Sequence, residues 1–357
     1  MHKRLKKLAK SSSSAEAFEE ESRILLQRFQ EALPEVLDRG ASRLADRLDK
    51  KMSKLLKGLR RDRIGFQKRL YARWSSGIDR LESLIHIAME FGGNMHESIA
   101  SDQQAAADAK VVSLHNLHAR ACRISGEILA LLKAGFPDGA HARWRSLHEV
   151  AAVCVLLEKS DPMLARKYQE YDAVRRYKAA FQFSEHASLL GWDPVPDSEL
   201  KELKLARDEV LSRYGKEFGG EYGWACGALA LKRVTFADIE LHADLKRWRP
   251  FYRWASDMVH AGPGGLRALG ISPSRYATIL AGSINHGLAD PGQNAALSLE
   301  IISLAFAHSM HSADNGLYSR AFRILARRCQ DAFMADHWKM ERLISKTEAR
   351  SAQESHR

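Results

Sequence analysis

"VVSLHNLHARACRISGEILALLKAG", residues 111–135, decides the fold class. Its apolar residues are dense, without the two-residue alternation that marks a half-buried strand, and Gly135 supplies a helix stop. The turn "FPDGA" follows, and "AHARWRSLHEVAAVCVLLEK", from 140, returns antiparallel as a second helix. A third, "DPMLARKYQEYDAVRRYKAAFQF", enters through Asp161 as cap with Pro162 at its first helical position. "GWDPVPDS" breaks the chain at 191–198, and "ELKELKLARDEVLSRYG" continues it as a charged, exposed helix.

Working outward, the glycine-rich stretch around 219–227 precedes a short helix near 236–244 and then "YRWASDMVH", residues 252–260. Residues 263–292 are expected to be mostly loop, long enough to be functional. The helices "QNAALSLEIISLAFAHSMHSADN" and "YSRAFRILARRCQDAFMADHWKMERLI" close the core. Toward the N-terminus, Leu25, Leu26, Phe29, Leu33 and Leu37 recur at three- and four-residue steps, predicting a long helix over 15–61 with a break at Pro34. "FQKRLYARWSSGIDRLESLIHIAMEFG" extends the helix to about 91, where Gly92 and Gly93 are expected to end it.

The expected fold is therefore all-α, a multi-helix bundle with a long N-terminal helical extension. The expected organisation is a flexible basic N-terminus over 1–14, an amphipathic helical and possible coiled-coil region over 15–93, and a polar, alanine-rich linker over 94–110. A helical core over 111–335 and a polar tail over 336–357 complete it.

At 357 residues, 45% hydrophobic and 28% charged, the composition is that of a globular protein. No run of about 18 apolar residues suggests a transmembrane span, and the basic start lacks the apolar stretch of a secretory signal. Four widely spaced cysteines with no C-x-x-C pair argue against a zinc site or a disulfide framework, so a bacterial cytoplasmic protein is expected.

The net charge of +11 is uneven: residues 1–80 hold 21 Lys and Arg against 11 Asp and Glu. Within "KKMSKLLKGLRRDR", Lys51, Lys54, Lys57, Arg60, Arg61 and Arg63 form a basic amphipathic helix with Leu55, Leu56 and Leu59. One reading is a solvated face on a helix packed by its leucines. The other is contact with phosphate, of RNA or another anionic surface.

Three polar constellations are candidates for chemistry. In the first, Arg253, Ser256 and His260 fall on one helical stripe, with the Tyr252 hydroxyl nearby. Arginine with histidine suits metal-independent RNA cleavage, the imidazole moving a proton and the guanidinium steadying the phosphate. The structural alternative is a polar seam between helices. In the second, "RWRSLHE", Arg145 lies three residues before His148 and four before Glu149, either as an inward clamp or facing a cavity shared with His260. Arg143 and His148, five residues apart, lie about 140° apart around a helix. In the third, His115 with His118 and His308 with His311 and Asp314 have metal-compatible spacing, but the Glu-x-x-His pairs of a di-metal bundle are missing. Neither a metal nor a cofactor is expected, and no P-loop, dinucleotide fingerprint, G-x-S-x-G or H-E-x-x-H occurs.

The ordered motifs "LLKAGFPDGAHARWRSLHEVAAV", "KYQEYDAVRRYKA", "YRWASDMVH" and "NHGLADPGQNAALSL" resemble a bacterial domain-of-unknown-function family, the one numbered 5677, over about 110–310. Its members look distantly similar to the HEPN superfamily of helical RNases and nucleotide-binding domains found in toxin and antiphage systems. That superfamily's signature is an arginine, then four to six intervening residues, then a histidine; Arg253 and His260, with six between them, match it with sensible facing, and Trp254 stands where a polar residue is usual. The resemblance implies an RNA-acting or RNA-binding homodimer in stress or phage defence. His260 would be general acid/base, Arg253 the phosphate stabiliser, and Ser256 and Tyr252 orienting groups. The competing expectation is a non-enzymatic helical interaction module with polar clamps at 143–149 and 252–260.

Overall fold

The computed structural model describes residues 15–260, 281–310 and 312–354. Among these residues eleven α-helices and several short 3-10 turns occur, and no strand. The helices are α1 (Ala15–Ser101), α2 (Gln103–Ala107), α3 (Ala109–Ala134), α4 (Pro137–Lys159), α5 (Pro162–Glu170), α6 (Asp172–His186), α7 (Asp197–Tyr214), α8 (Phe236–His242), α9 (Arg249–Val259), α10 (Ala289–His308) and α11 (Ala313–Glu354). The chain divides into two units, Met1–Phe66 and Gln67–Arg357.

The first unit is described from Ala15 as helix alone. Leu26, Leu37, Leu44, Leu48, Leu55 and Leu59 lie on it between 45% and 61% exposed. The leucines interleaved with the basic cluster are therefore not buried by any described residue. Pro34 does not end the helix; it removes one backbone donor and its bond to the preceding turn, and the ladder resumes beyond it.

The second unit is built around α10, which packs against α3, α4 and α11. Its sequence is apolar on nearly every side, as a helix at the centre of a bundle must be. Gly135 adopts φ +80° and lets α3 turn back into α4, with Pro137 at the first helical position. Trp144 on α4 is buried, and its indole N–H donates to the Asn294 carbonyl at 3.0 Å and the Ser298 hydroxyl at 2.9 Å on α10.

Residues 67–101 of α1 also belong to this core. Leu70, Trp74, Ile78, Leu81 and Ala88 are at most 1% exposed, and Phe91 meets Phe306 and Phe322 edge-on. Gly92 and Gly93 lie inside the helix rather than at its end, and the segment expected as a linker is mostly helical. Asp102 and Asp108 cap the two short restarts by accepting backbone N–H groups. α11 likewise continues through residues expected as a polar tail. Asp336 there is buried, accepting from the Gly77 backbone N–H at 3.0 Å and from Lys339 at 3.1 Å. Of the expected long loop, residues 263–280 lie outside the described residues; 281–288 are non-helical.

Candidate functional site

The second and third helices of the core and the glycine-rich loop enclose a cavity of about 520 Å³. Ser146, Glu149, Val150 and Val153 line it from α4, at the spacing that keeps side chains on one helical face. The opposite face of α4, with Trp144, Leu147, Ala151 and Cys154, is buried in the core. Leu117 and Arg120 line the cavity from α3. Tyr168, Gln169, Tyr171, Asp172 and Arg175 line it from α5, α6 and their junction, and Glu221, Tyr222, Trp224 and Phe236 complete the wall.

The loop that carries Tyr222 is held in an unusual conformation. Tyr222 sits at φ +53°, left-handed backbone that costs a side-chain-bearing residue about 1–2 kcal/mol. Gly223 follows because a Cβ there would meet the Phe218 carbonyl oxygen at 2.2 Å. The Tyr171 hydroxyl donates to the Gly220 carbonyl at 2.5 Å and pins the loop to the end of α5. Strain of this kind persists only where surrounding contacts impose it, and it concentrates at ligand sites.

The electrostatics are mixed. Arg120 and Arg175 are exposed at the cavity and make no ion pair with a described residue. Burial raises the Tyr168 and Tyr171 phenols, and burial with Glu149 and Glu221 pushes Tyr222 up to about 12. All three hydroxyls are thus neutral donors at physiological pH. Glu149 is fixed from two sides: Arg145 Nε lies 3.3 Å away, and the Tyr252 hydroxyl donates to the same oxygen at 2.6 Å. Burial first, then that hydrogen bond, raises the Tyr252 phenol. The Arg145 guanidinium also lies 4.9 Å over the Tyr252 ring.

The motifs 143–149 and 252–260 therefore meet in space, through Arg145, Glu149 and Tyr252. His148 does not line the cavity. It is 2% exposed and its Nε2 lies 2.8 Å from an oxygen of the fully buried Glu240, within hydrogen-bond distance. Arg249 Nε reaches the other Glu240 oxygen at 2.5 Å, tying α4, α8 and α9 together. Arg143 points elsewhere, paired with Glu127 on α3.

Arg253 and His260 are exposed and have no hydrogen-bond or ion-pair partner for their side chains among the described residues. The expected stripe is shortened because α9 ends at Val259. His260 is its C-cap with extended backbone, so it no longer continues the helical register of Arg253 and Ser256. The Ser256 hydroxyl donates to the Tyr252 carbonyl one turn back, at 2.9 Å.

In the basic cluster, Lys51, Lys54, Lys57, Arg60, Arg61 and Arg63 are all exposed. His115 stacks on His96 at 5.1 Å, and buried His118 meets Ser303 at 3.2 Å. His308 pairs with Glu158 at 3.6 Å, whereas His311 lies outside the described residues. Among the described residues no group of three or more His, Cys, Asp or Glu could hold a metal ion, and no helix is long and apolar enough to cross a membrane.

Arg120, the three tyrosines, Arg175 and Trp224 were not candidates on sequence. Their signals were a tyrosine pair three residues apart followed by Asp172 and Arg175 one turn on, and glycines crowding Glu221 and Tyr222.

This is an all-helical domain with a polar, tyrosine-walled cavity. Residues 112–275 match the model of a family of unknown function (DUF5677). Every lining residue of the cavity lies inside the matched segment. No curated protein and no solved structure matches the chain.

Proposed function

We propose that the family segment binds a nucleotide-type ligand, free or within an RNA strand, in the cavity beside α4. The observation that carries this reading is the pair of arginines, Arg120 and Arg175, without acidic partners among the described residues, at a cavity walled by Tyr168, Tyr171, Tyr222, Trp224 and Phe236. Guanidinium groups suit phosphate oxygens, and aromatic faces suit a planar base. Glu149, held in place by Arg145 and Tyr252, offers an acceptor to an amino or hydroxyl group, which a bare phosphate lacks. A volume of about 520 Å³ falls in the usual range for small-ligand sites.

The test is calorimetric titration of the full chain with mononucleotides and with a short single-stranded RNA. Saturable binding, weakened at least tenfold by Arg120→Ala or Arg175→Ala and weakened by added salt, is the expected result. Absence of binding by every nucleotide and by the RNA sinks the reading.

Its finer form is a HEPN-like, metal-independent ribonuclease of stress or phage defence, with His260 as acid/base and Arg253 at the phosphate. What supports it is that both side chains are open to solvent, Arg253 on α9 and His260 at its C-cap, and that Tyr252 of α9 bonds the cavity residue Glu149. RNA cleaved in the presence of EDTA by the wild type and not by His260→Ala is the outcome that form requires. Binding without cleavage leaves a recognition domain. With neither, the reading becomes a non-enzymatic helical interaction module, clamped by His148, Glu240 and Arg249.

A further inference from the structure

The first unit carries an apolar stripe that no described residue covers. Leu26, Leu33, Leu37, Leu44, Leu48, Leu55, Leu59 and Phe66 follow one another at alternating steps of seven and four residues. An eleven-residue period is three turns at 3.67 residues each, so the stripe stays on one face of a nearly straight helix. Six of the eight are 45–61% exposed.

The spacing is symmetric about residue 46: 26 mirrors 66, 33 mirrors 59, 37 mirrors 55, and 44 mirrors 48. An identical helix run in reverse therefore meets every stripe residue with another. A parallel copy in register matches the stripe as well, so the leucines alone do not fix direction. Charge does. Residues 15–41 hold seven acidic against three basic side chains, net −4, and residues 42–66 hold nine basic against three acidic, net +6. Parallel pairing sets the basic half beside a second basic half. Antiparallel pairing sets it beside the acidic half, at helix separations comparable to the screening length of physiological salt. Gly40, Ala41 and Ala45 keep the flanks of the stripe small near its midpoint.

We infer that this helix pairs antiparallel with the same helix of a second copy of the chain, through the stripe from Leu26 to Phe66. The basic residues from Lys51 to Arg63 then face, across the pair, the acidic segment of the other copy.

The test uses the full chain. Sedimentation gives a dimer for the wild type and a monomer for the Leu37→Glu, Leu48→Glu double variant. The thermal transition of the second unit, followed by tryptophan fluorescence, stays where it was, because all seven tryptophans lie beyond residue 66. Direction is read from Leu33→Cys and Leu59→Cys chains, the four native cysteines being buried. Mixed and mildly oxidised, the two form a covalent dimer. Either alone does not, because two copies of one position lie roughly 40 Å apart along an antiparallel pair. A monomeric wild type overturns the inference. So does a dimer that survives the double glutamate variant. Self-crosslinking of each single variant overturns the antiparallel arrangement. None of these outcomes depends on whether the cavity binds a nucleotide.

Discussion

One helix, α1, carries two apolar stripes with opposite fates. Between 70 and 91, Leu70, Trp74, Ile78, Leu81, Leu84, Ala88 and Phe91 are at most 1% exposed, whereas Leu26, Leu37, Leu44, Leu48, Leu55 and Leu59 remain about half exposed. The periodicities are alike, so what separates them is what lies opposite. The inner stripe meets Phe333, Phe306, Phe322 and His118 from three other helices. The outer stripe meets no side chain among the described residues that removes it from water. Amphipathic periodicity shows that a helix has a face to bury; it does not show whether the cover lies within the chain.

The largest break in this comparison comes from truncating one residue on each stripe. Trp74 is fully buried and donates its indole N–H to the Asn285 carbonyl at 2.9 Å. Trp74→Ala loses about 3–5 kcal/mol in a denaturant titration. Leu48→Ala, in a dilute monomeric sample, changes stability by no more than about 0.5 kcal/mol, because its side chain is 55% exposed already. Comparable losses at the two sites would mean that the outer stripe is covered after all.

Acid probes the same inner cover. His118 packs edge-on against Phe91, and burial, with a smaller effect from His115, holds its pKa down to about 4. Between that value and the ordinary 6.5 the unfolded chain takes up a proton that the folded chain refuses. The stability from this group is therefore fully present above pH 6.5 and falls as pH drops toward 4, by about 3 kcal/mol. The melting temperature of His118→Leu should fall less steeply over that window than that of the wild type. Parallel slopes for the two proteins would remove His118 as the source.

Much of the helical framework was legible in sequence because propensity, caps and turns are local. Gly135 closes α3, and Asp161 with Pro162 opens α5, where the residues alone place them. The misplaced breaks were non-local. Gly92 lies within α1 because the His118 ring packs where its Cβ would be, only 3.0 Å away. A glycine that admits a neighbouring ring and one that ends a helix look alike in sequence. The cavity was harder to foresee for the same reason. Its residues come from four segments between Leu117 and Phe236, and only Glu149 of the named candidates lines it. Neither the pairing of His148 with Glu240, 92 positions away, nor that of Glu149 with Tyr252, 103 away, follows from spacing within a motif.

The smallest effects sharpen the contrast most, since they put the same substitution at two points of one helix. A Cβ on Gly77 would stand 2.6 Å from the Phe333 ring, which is itself fully buried and has no room to retreat. Gly77→Ala should cost about 1–3 kcal/mol, as overpacking in a closed core does. A Cβ on Gly58 meets nothing within 4 Å. There the substitution only removes backbone freedom from the unfolded chain, and Gly58→Ala should add about 0.5–1 kcal/mol to the helix, read as helicity on mild heating by circular dichroism. Opposite signs for one methyl group, 19 positions apart, are what a helix covered at one end by its own chain, and left uncovered at the other by the described residues, must give. If Gly58→Ala instead lowered helicity, something already packs against that face in solution, and the small size of Gly58 would be part of how it fits.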